Sequence, residues 1–230
     1  MKTIAISGGL LASALLLTGC GLDSMTGPGN EDTVSYEVSE KVTALRLETG
    51  SGDTVITETD GAAVRVVETL HWRGDNKPKP EHPVRNQTLS LAYECQSDWG
   101  SCSVNYKIEV PKGLAVDVDS GSGDLTLRDL SGSLNVQMGS GDVDSAGLAG
   151  KKVSVYAGSG NVELKYVSAP EDARVETGSG DITLRVPDDG YVVKPDTDSG
   201  DVSVKIKTDN AAPRKISLTA GSGDVAVTPA

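Results

Sequence analysis

Apolar and polar residues alternate along this chain in short runs that come in pairs. Leu125 and Leu127, Val162 and Leu164, Ile182 and Leu184, Val202 and Val204, and Val225 and Val227 form one set. A second set leads into these: Leu134, Val136 and Met138; Val153, Val155 and Ala157; Ala173, Val175 and Thr177; Ile216, Leu218 and Ala220. A period of two marks a strand with one buried face, so each unit is predicted to hold two short strands.

Between the two strands of a unit stands Gly-Ser-Gly-Asp. It occurs at 50–53, 121–124, 139–142, 178–181 and 221–224, with variants Gly158-Ser159-Gly160-Asn161 and Asp198-Ser199-Gly200-Asp201. From residue 121 the starts lie 18, 19, 20, 20 and 23 residues apart, and a near-constant period is the mark of a repeat architecture. The glycines let the backbone turn through conformations closed to residues with a Cβ, while the Asp oxygen accepts hydrogen bonds from turn amides. Asn161 keeps that oxygen without the charge, as a hydrogen-bonding role requires.

One such coil buries too few apolar side chains to offset the ordering of its backbone, so stacking must supply the rest. The expected fold is all-β, a parallel β-helix-like solenoid with coils of about 20 residues, in which Leu125, Val143, Val162, Ile182, Val202 and Val225 form one ladder and Ser145 interrupts the next. An antiparallel meander sandwich is the alternative, since turns this short also suit hairpins. The solenoid is favoured because the same turn recurs once per two strands. Val225 to Val227 would then form the open end of the stack, blunted by Pro229, and unpaired edges invite self-association or capture of a partner strand.

The start of the chain has a different character. Lys2, an apolar stretch over 4–17 and the closing Leu17-Thr18-Gly19-Cys20 read as a signal peptide over 1–19. The closing residues resemble the bacterial lipobox, which implies cleavage before Cys20, lipidation of that residue with palmitate or a similar chain, and a protein tethered at the outer face of the cell membrane. Residues 20–32 are a flexible Gly- and Pro-containing tether. A β region over 33–110 precedes the regular repeats of 111–230, and 33–230 can also be read as one continuous domain.

Export changes the reading of the other two cysteines. In an oxidising setting Cys95 and Cys102 are expected to form a disulfide. Strand parity, with Leu89, Leu91, Tyr93 and Cys95 on one side and Cys102, Val104, Tyr106 and Ile108 on the other, predicts a hairpin that turns both sulfurs inward. A metal site is the weaker alternative, because no further ligand stands at suitable spacing.

At Leu70-His71-Trp72, Cys95, Cys102, the run Tyr106-Lys107-Ile108-Glu109-Val110-Pro111 and the motif series, the sequence resembles the bacterial DUF4097-type family of β-strand-repeat proteins, known by the label "putative adhesin". The resemblance covers most of the chain beyond the signal. It implies many short strands with Gly-Asp turns, an exported or envelope-associated protein, often actinobacterial, and no catalytic residues to carry over.

Charge and residue types narrow the function. A net charge of −12 disfavours nucleic acid as a partner and, apart from the lipid on Cys20, an anionic membrane. Calcium is the sharpest site hypothesis, because Asp196, Asp198 and Asp201 are the densest cluster of oxygen ligands; turn capping is the preferred role for the motif aspartates. Catalysis is disfavoured: both histidines and both tryptophans, His71, His82, Trp72 and Trp99, lie outside the repeats, and no nucleophile, phosphate-loop or zinc pattern occurs. The expectation is a non-catalytic, lipid-anchored surface protein without a cofactor, engaging a protein or envelope partner through outward strand positions, the loop 73–87 or the stack end. A calcium-dependent binding module is the second reading, and a carbohydrate-active β-helix enzyme the third.

Overall fold

The structure, a computed structural model, describes residues 29–96 and 101–230. Strands β1 (Asn30–Val38), β2 (Ala44–Ser51), β3 (Thr54–Thr59) and β4 (Val64–Trp72) come first, followed by β5 (Lys79–Glu81), β6 (Val84–Arg85), β7 (Thr88–Glu94) and β8 (Cys102–Pro111). The repeats supply β9 (Ala115–Ser122), β10 (Leu125–Arg128), β11 (Leu134–Ser140), β12 (Val143–Ala146), β13 (Lys152–Ser159) and β14 (Val162–Lys165). The last six are β15 (Asp172–Ser179), β16 (Ile182–Val186), β17 (Val192–Ser199), β18 (Val202–Val204), β19 (Lys215–Ser222) and β20 (Val225–Pro229).

Two large sheets face each other. Sheet A runs β1-β4-β8-β3-β10-β12-β14-β16-β20-β18, and sheet B runs β17-β19-β15-β13-β11-β9-β2-β7-β5 with β6 beside β7. Each coil that carries the motif gives its longer strand to sheet B, turns through the motif, and gives its shorter strand to sheet A. Neighbouring coils pair in parallel, with Leu125 beside both Thr54 and Val143. This is the solenoid, and parallel pairing from coil to coil separates it from the meander. Inward residues form one core: Leu45, Val116, Leu134, Val153, Ala173 and Ile216 from sheet B meet Ile56, Leu127, Leu164, Leu184 and Val227 from sheet A, all at 4% exposure or less. Ser145 does break its ladder. Parallel pairing of β12 with β14 stops after Asp144 and Glu163, and the Ser145 Oγ accepts the Lys165 N–H at 3.2 Å.

The first motif copy belongs to the stack. β2 pairs with β9 and β3 with β10, so both sheets run unbroken across Pro111. On the other side of that coil, β7 and β8 form one more, beside β2 and β3 respectively. Antiparallel strands close this end: β4 covers β8 and β1 covers β4, while β5 and β6 fold back on β7. The β6–β7 turn places Asn86 and Gln87 at φ 51° and 62°, the backbone of a tight two-residue hairpin.

Two expectations are corrected. The cysteine segment is not a hairpin, because β7 and β8 lie in facing sheets; Glu94 ends one strand and Cys102 begins the other, as Ser122 and Leu125 do across a Gly-Ser-Gly-Asp corner. The chain also does not end at the stack end. β20 inserts between β16 and β18, and β19 between β15 and β17, so the ladder reads Ile182, Val225, Val202. Pro229 is paired with Val186, and the open edges belong to β17 and β18. Their inward residues show it, with Val202 47% exposed where Val225 is fully buried.

Candidate functional site

The polar groups of the motif corners are consumed by the stack. The glycine at the third position of each copy holds φ between +118° and +145° in Gly52, Gly123, Gly141, Gly160, Gly180, Gly200 and Gly223. Its missing Cβ also leaves room for the neighbouring coil: a Cβ on Gly123 would lie 2.2 Å from the Gly52 carbonyl oxygen. The motif acid then completes the pairing. Asp53 Oδ1 accepts the Asp124 N–H, Asp124 accepts that of Asp142, Asp142 that of Asn161, Asn161 that of Asp181, Asp181 that of Asp224, and Asp224 that of Asp201, at 2.7 to 3.1 Å.

Asn105 begins this row by accepting the Asp53 N–H at 2.9 Å, a role the sequence reading missed. Its signal is faint but present. Asn105-Tyr106 stands where Asp53-Thr54 and Asp124-Leu125 stand in the coils stacked beside it, but Val104 replaces the glycine, since no motif coil lies on its other side. The calcium candidates do not converge: Asp196 and Asp198 are exposed on β17, the Asp201 amide is bonded to Asp224, and among the described residues no three His, Cys, Asp or Glu side chains form a metal-binding group.

At the closed end, Cys95 and Cys102 are joined by a disulfide with Cα atoms 6.1 Å apart. It staples the β7–β8 corner at the surface, with Cys95 exposed and not turned inward. Beneath the β1–β4 pair, Glu68 faces the core at 1% exposure and accepts the Tyr36 hydroxyl at 2.7 Å. Burial raises the Glu68 pKa above the ordinary glutamate value, against the pull of the Tyr36 hydrogen bond, and raises that of Tyr36 well above the usual phenol range. The His82 ring stacks on Tyr36 at 4.4 Å, and Lys77 Nζ sits 4.9 Å from the Trp72 ring centre while paired with Asp32. His71 lies 3.4 Å from Asn105 and 3.5 Å from Glu31. These groups are tied to one another, and the Glu68 carboxylate is sealed from solvent. Cys20 and Trp99 lie outside the described residues.

The outer face of sheet B is shaped differently. Small side chains recur at the start of its strands, Ala44, Ala115 and Ser133 with Ser154 beside them, and leave a trough of about 520 Å³ across β2, β9, β11, β13 and β15. A further hollow of about 350 Å³ over β15, β19 and β17 shares Asp172 and Arg174 with it, making one depression across the strands. Four cations line it, Lys152, Arg174, Lys194 and Lys215. Among the described residues none of these is in an ion pair, whereas adjacent Lys151 and Arg214 are held by Glu171 and Asp189. Asp117 is occupied by the Asn135 amide at 2.7 Å. Two residues further along β13, Tyr156 stands 49% exposed between Gln137 and Glu176. Period-two alternation identifies these positions as outward, but their contents repeat too loosely for sequence to single them out.

Comparison with known proteins bears on the fold. The family described as Toastrack DUF4097 matches residues 42–228. Among solved structures, a "putative cell adhesion protein" from Clostridium sporogenes superposes with a TM-score of 0.52 at 14% identity, covering 87% of this chain and 100% of that one. A "putative adhesin" from Bacteroides fragilis gives 0.42 at 16% identity, covering 86% and 97%. A "putative lipid binding protein" from Parabacteroides distasonis gives 0.40 at 12% identity, covering 88% and 98%. No curated protein sequence matches the chain.

Proposed function

Since the chain belongs to the Toastrack DUF4097 family, we propose that it is a non-catalytic surface module, anchored by a lipid on Cys20 and exposing the outside of a rigid β-stack to a partner in the cell envelope. The observation that carries this reading is the division of labour in each coil. Inward positions are filled by apolar ladders, and corner polar groups bond to the next coil. The groups still free to meet a partner therefore lie on the outward strand positions, above all along the outer face of sheet B. Surfaces built on regular strands hold their side chains at fixed spacing. The name of the Clostridium sporogenes neighbour, a "putative cell adhesion protein", agrees with a role outside the cytoplasm.

The anchor and the surface are tested separately. In cells fed an alkyne palmitate analogue, the full chain is expected to label and to sediment with membranes, and Cys20→Ala to do neither; a labelled variant would refute the anchor. Purified chain in non-ionic detergent is expected to bind isolated cell envelopes saturably, without releasing soluble fragments from them. Absence of binding, or release of envelope sugars, would refute the non-catalytic surface reading.

A further inference from the structure

Building on that surface role, we propose that the outer face of sheet B is a binding site for an acidic linear polysaccharide, a chain of uronic acid residues laid across the strands. The trough and the hollow beside it run across seven strands, β2 to β17, a span of about 29 Å at ~4.8 Å per strand. That spacing is close to the length of one pyranose unit in an extended chain. Successive sugars therefore meet successive strands, and one repeating ligand meets one repeating protein.

Charge selects an anion. The molecule carries a net charge of −12, yet Lys152, Arg174, Lys194 and Lys215 line this depression without ion-pair partners, against the two carboxylates of Asp117 and Asp172. A carboxylated polymer supplies the missing counter-charges, and Arg174 can take a carboxylate through two parallel N–H donors.

Two further features select a sugar over a bare polyanion. Tyr156 offers an exposed ring beside Gln137 and Glu176, and an aromatic face packs against the C–H face of a pyranose while the flanking planar groups take its hydroxyls. The row that contains Tyr156 also holds Asp119, Glu176 and Asp196 in register across the strands. These acids accept hydroxyl donors and repel anions of any kind, so they disfavour a polymer charged on every edge, such as a polyphosphate, and suit one whose second edge carries hydroxyls. The ligand thus presents carboxylates to the basic row and hydroxyls to the acidic one.

The test uses the full chain in non-ionic detergent and calorimetric titration with oligogalacturonate, inorganic polyphosphate and dextran. Oligogalacturonate is expected to bind, and to weaken as salt is raised. Lys152→Ala with Arg174→Ala is expected to weaken it roughly tenfold or more, and Tyr156→Ala about tenfold, with melting temperatures unchanged because all three side chains point outward. Dextran and polyphosphate are expected to bind far more weakly. Failure of oligogalacturonate to bind, indifference of its binding to Tyr156→Ala, or equal binding of polyphosphate would each overturn the proposal. If the same preparation still binds isolated envelopes, only the ligand class has failed; if it does not, the surface reading has failed with it.

Discussion

Replacing Asp124 separates the two things a motif aspartate brings to its corner, an acceptor oxygen and a charge. Asp124 Oδ1 accepts the Asp142 N–H at 3.0 Å, and its own amide donates to Asp53. It is therefore the middle of three consecutive carboxylates, Asp53, Asp124 and Asp142, before Asn161 interrupts the row. Charges ~4.8 Å apart in a water-like medium repel by roughly 0.9 kcal/mol, less in salt, and exposed pairs rarely exceed about 1 kcal/mol. Asp124→Asn keeps the oxygen and relieves two repulsions, so it is expected to be neutral or to stabilise by up to about 1 kcal/mol at low salt. Asp124→Ala gains the same relief but strands the Asp142 amide, which costs about 0.5–1.5 kcal/mol. The alanine variant should melt roughly 2–4 °C below the asparagine variant. Thermal unfolding by circular dichroism at low and high salt, with and without calcium, measures this. If Asn destabilises as much as Ala, or if calcium raises the wild-type melting temperature and Asn removes that rise, the carboxylate is there for its charge and the capping argument fails.

Two other perturbations probe the stack and its closed end. Gly141→Ala would place a Cβ 2.1 Å from the Gly123 oxygen at φ +123° and should cost about 3 kcal/mol or more; Gly74→Ala, at φ +60° with open space around it, should cost about 1–2 kcal/mol, and equal losses in chemical denaturation would contradict the close-packing account. Glu68 has a raised folded pKa, so the folded state holds its proton longer than the unfolded one and stability falls as pH rises above the ordinary glutamate range. Glu68→Gln lacks that loss, so its melting temperature relative to wild type should climb from acid to neutral pH, and a flat difference would show that burial of the charge is not felt.

Much of this fold can be read from spacing alone, because a period of two and a repeated turn allow few arrangements. Leu125, Val143, Val162 and Ile182 stack as their positions in the motif units require. The order of the last two coils cannot be read that way. Val202 and Val225 occupy equivalent places in equivalent units, and either fits beside Ile182. The longer final interval and the weaker packing residues Pro195 and Thr197, opposite the buried Leu218 and Ala220, are the only traces of the exchange. Pro195 suits an edge. Val192 turns its N–H toward the sheet, so alternation turns the backbone nitrogen of residue 195 toward the open edge, where a missing donor costs nothing. Parity failed for the cysteines for a related reason: alternation reports which face a residue takes within its sheet, not whether the next strand joins the same sheet. The outer trough depends on small and long side chains distributed over five strands, a pattern that emerges only once register is known.

The out-of-sequence insertion of β19 and β20 also sets a timetable. A solenoid whose coils stack in chain order can grow from one end as it emerges from the ribosome or the export channel, each coil docking on the one before. Here that progression stops after β16. The coil of β17 and β18 has no coil neighbour in the finished stack except β19 and β20, so it cannot take its final place until residues 215–230 arrive and lie beside β15 and β16. The last two coils then reach their final places together, and a chain halted anywhere between 205 and 214 carries a newest coil that still lacks its final neighbour.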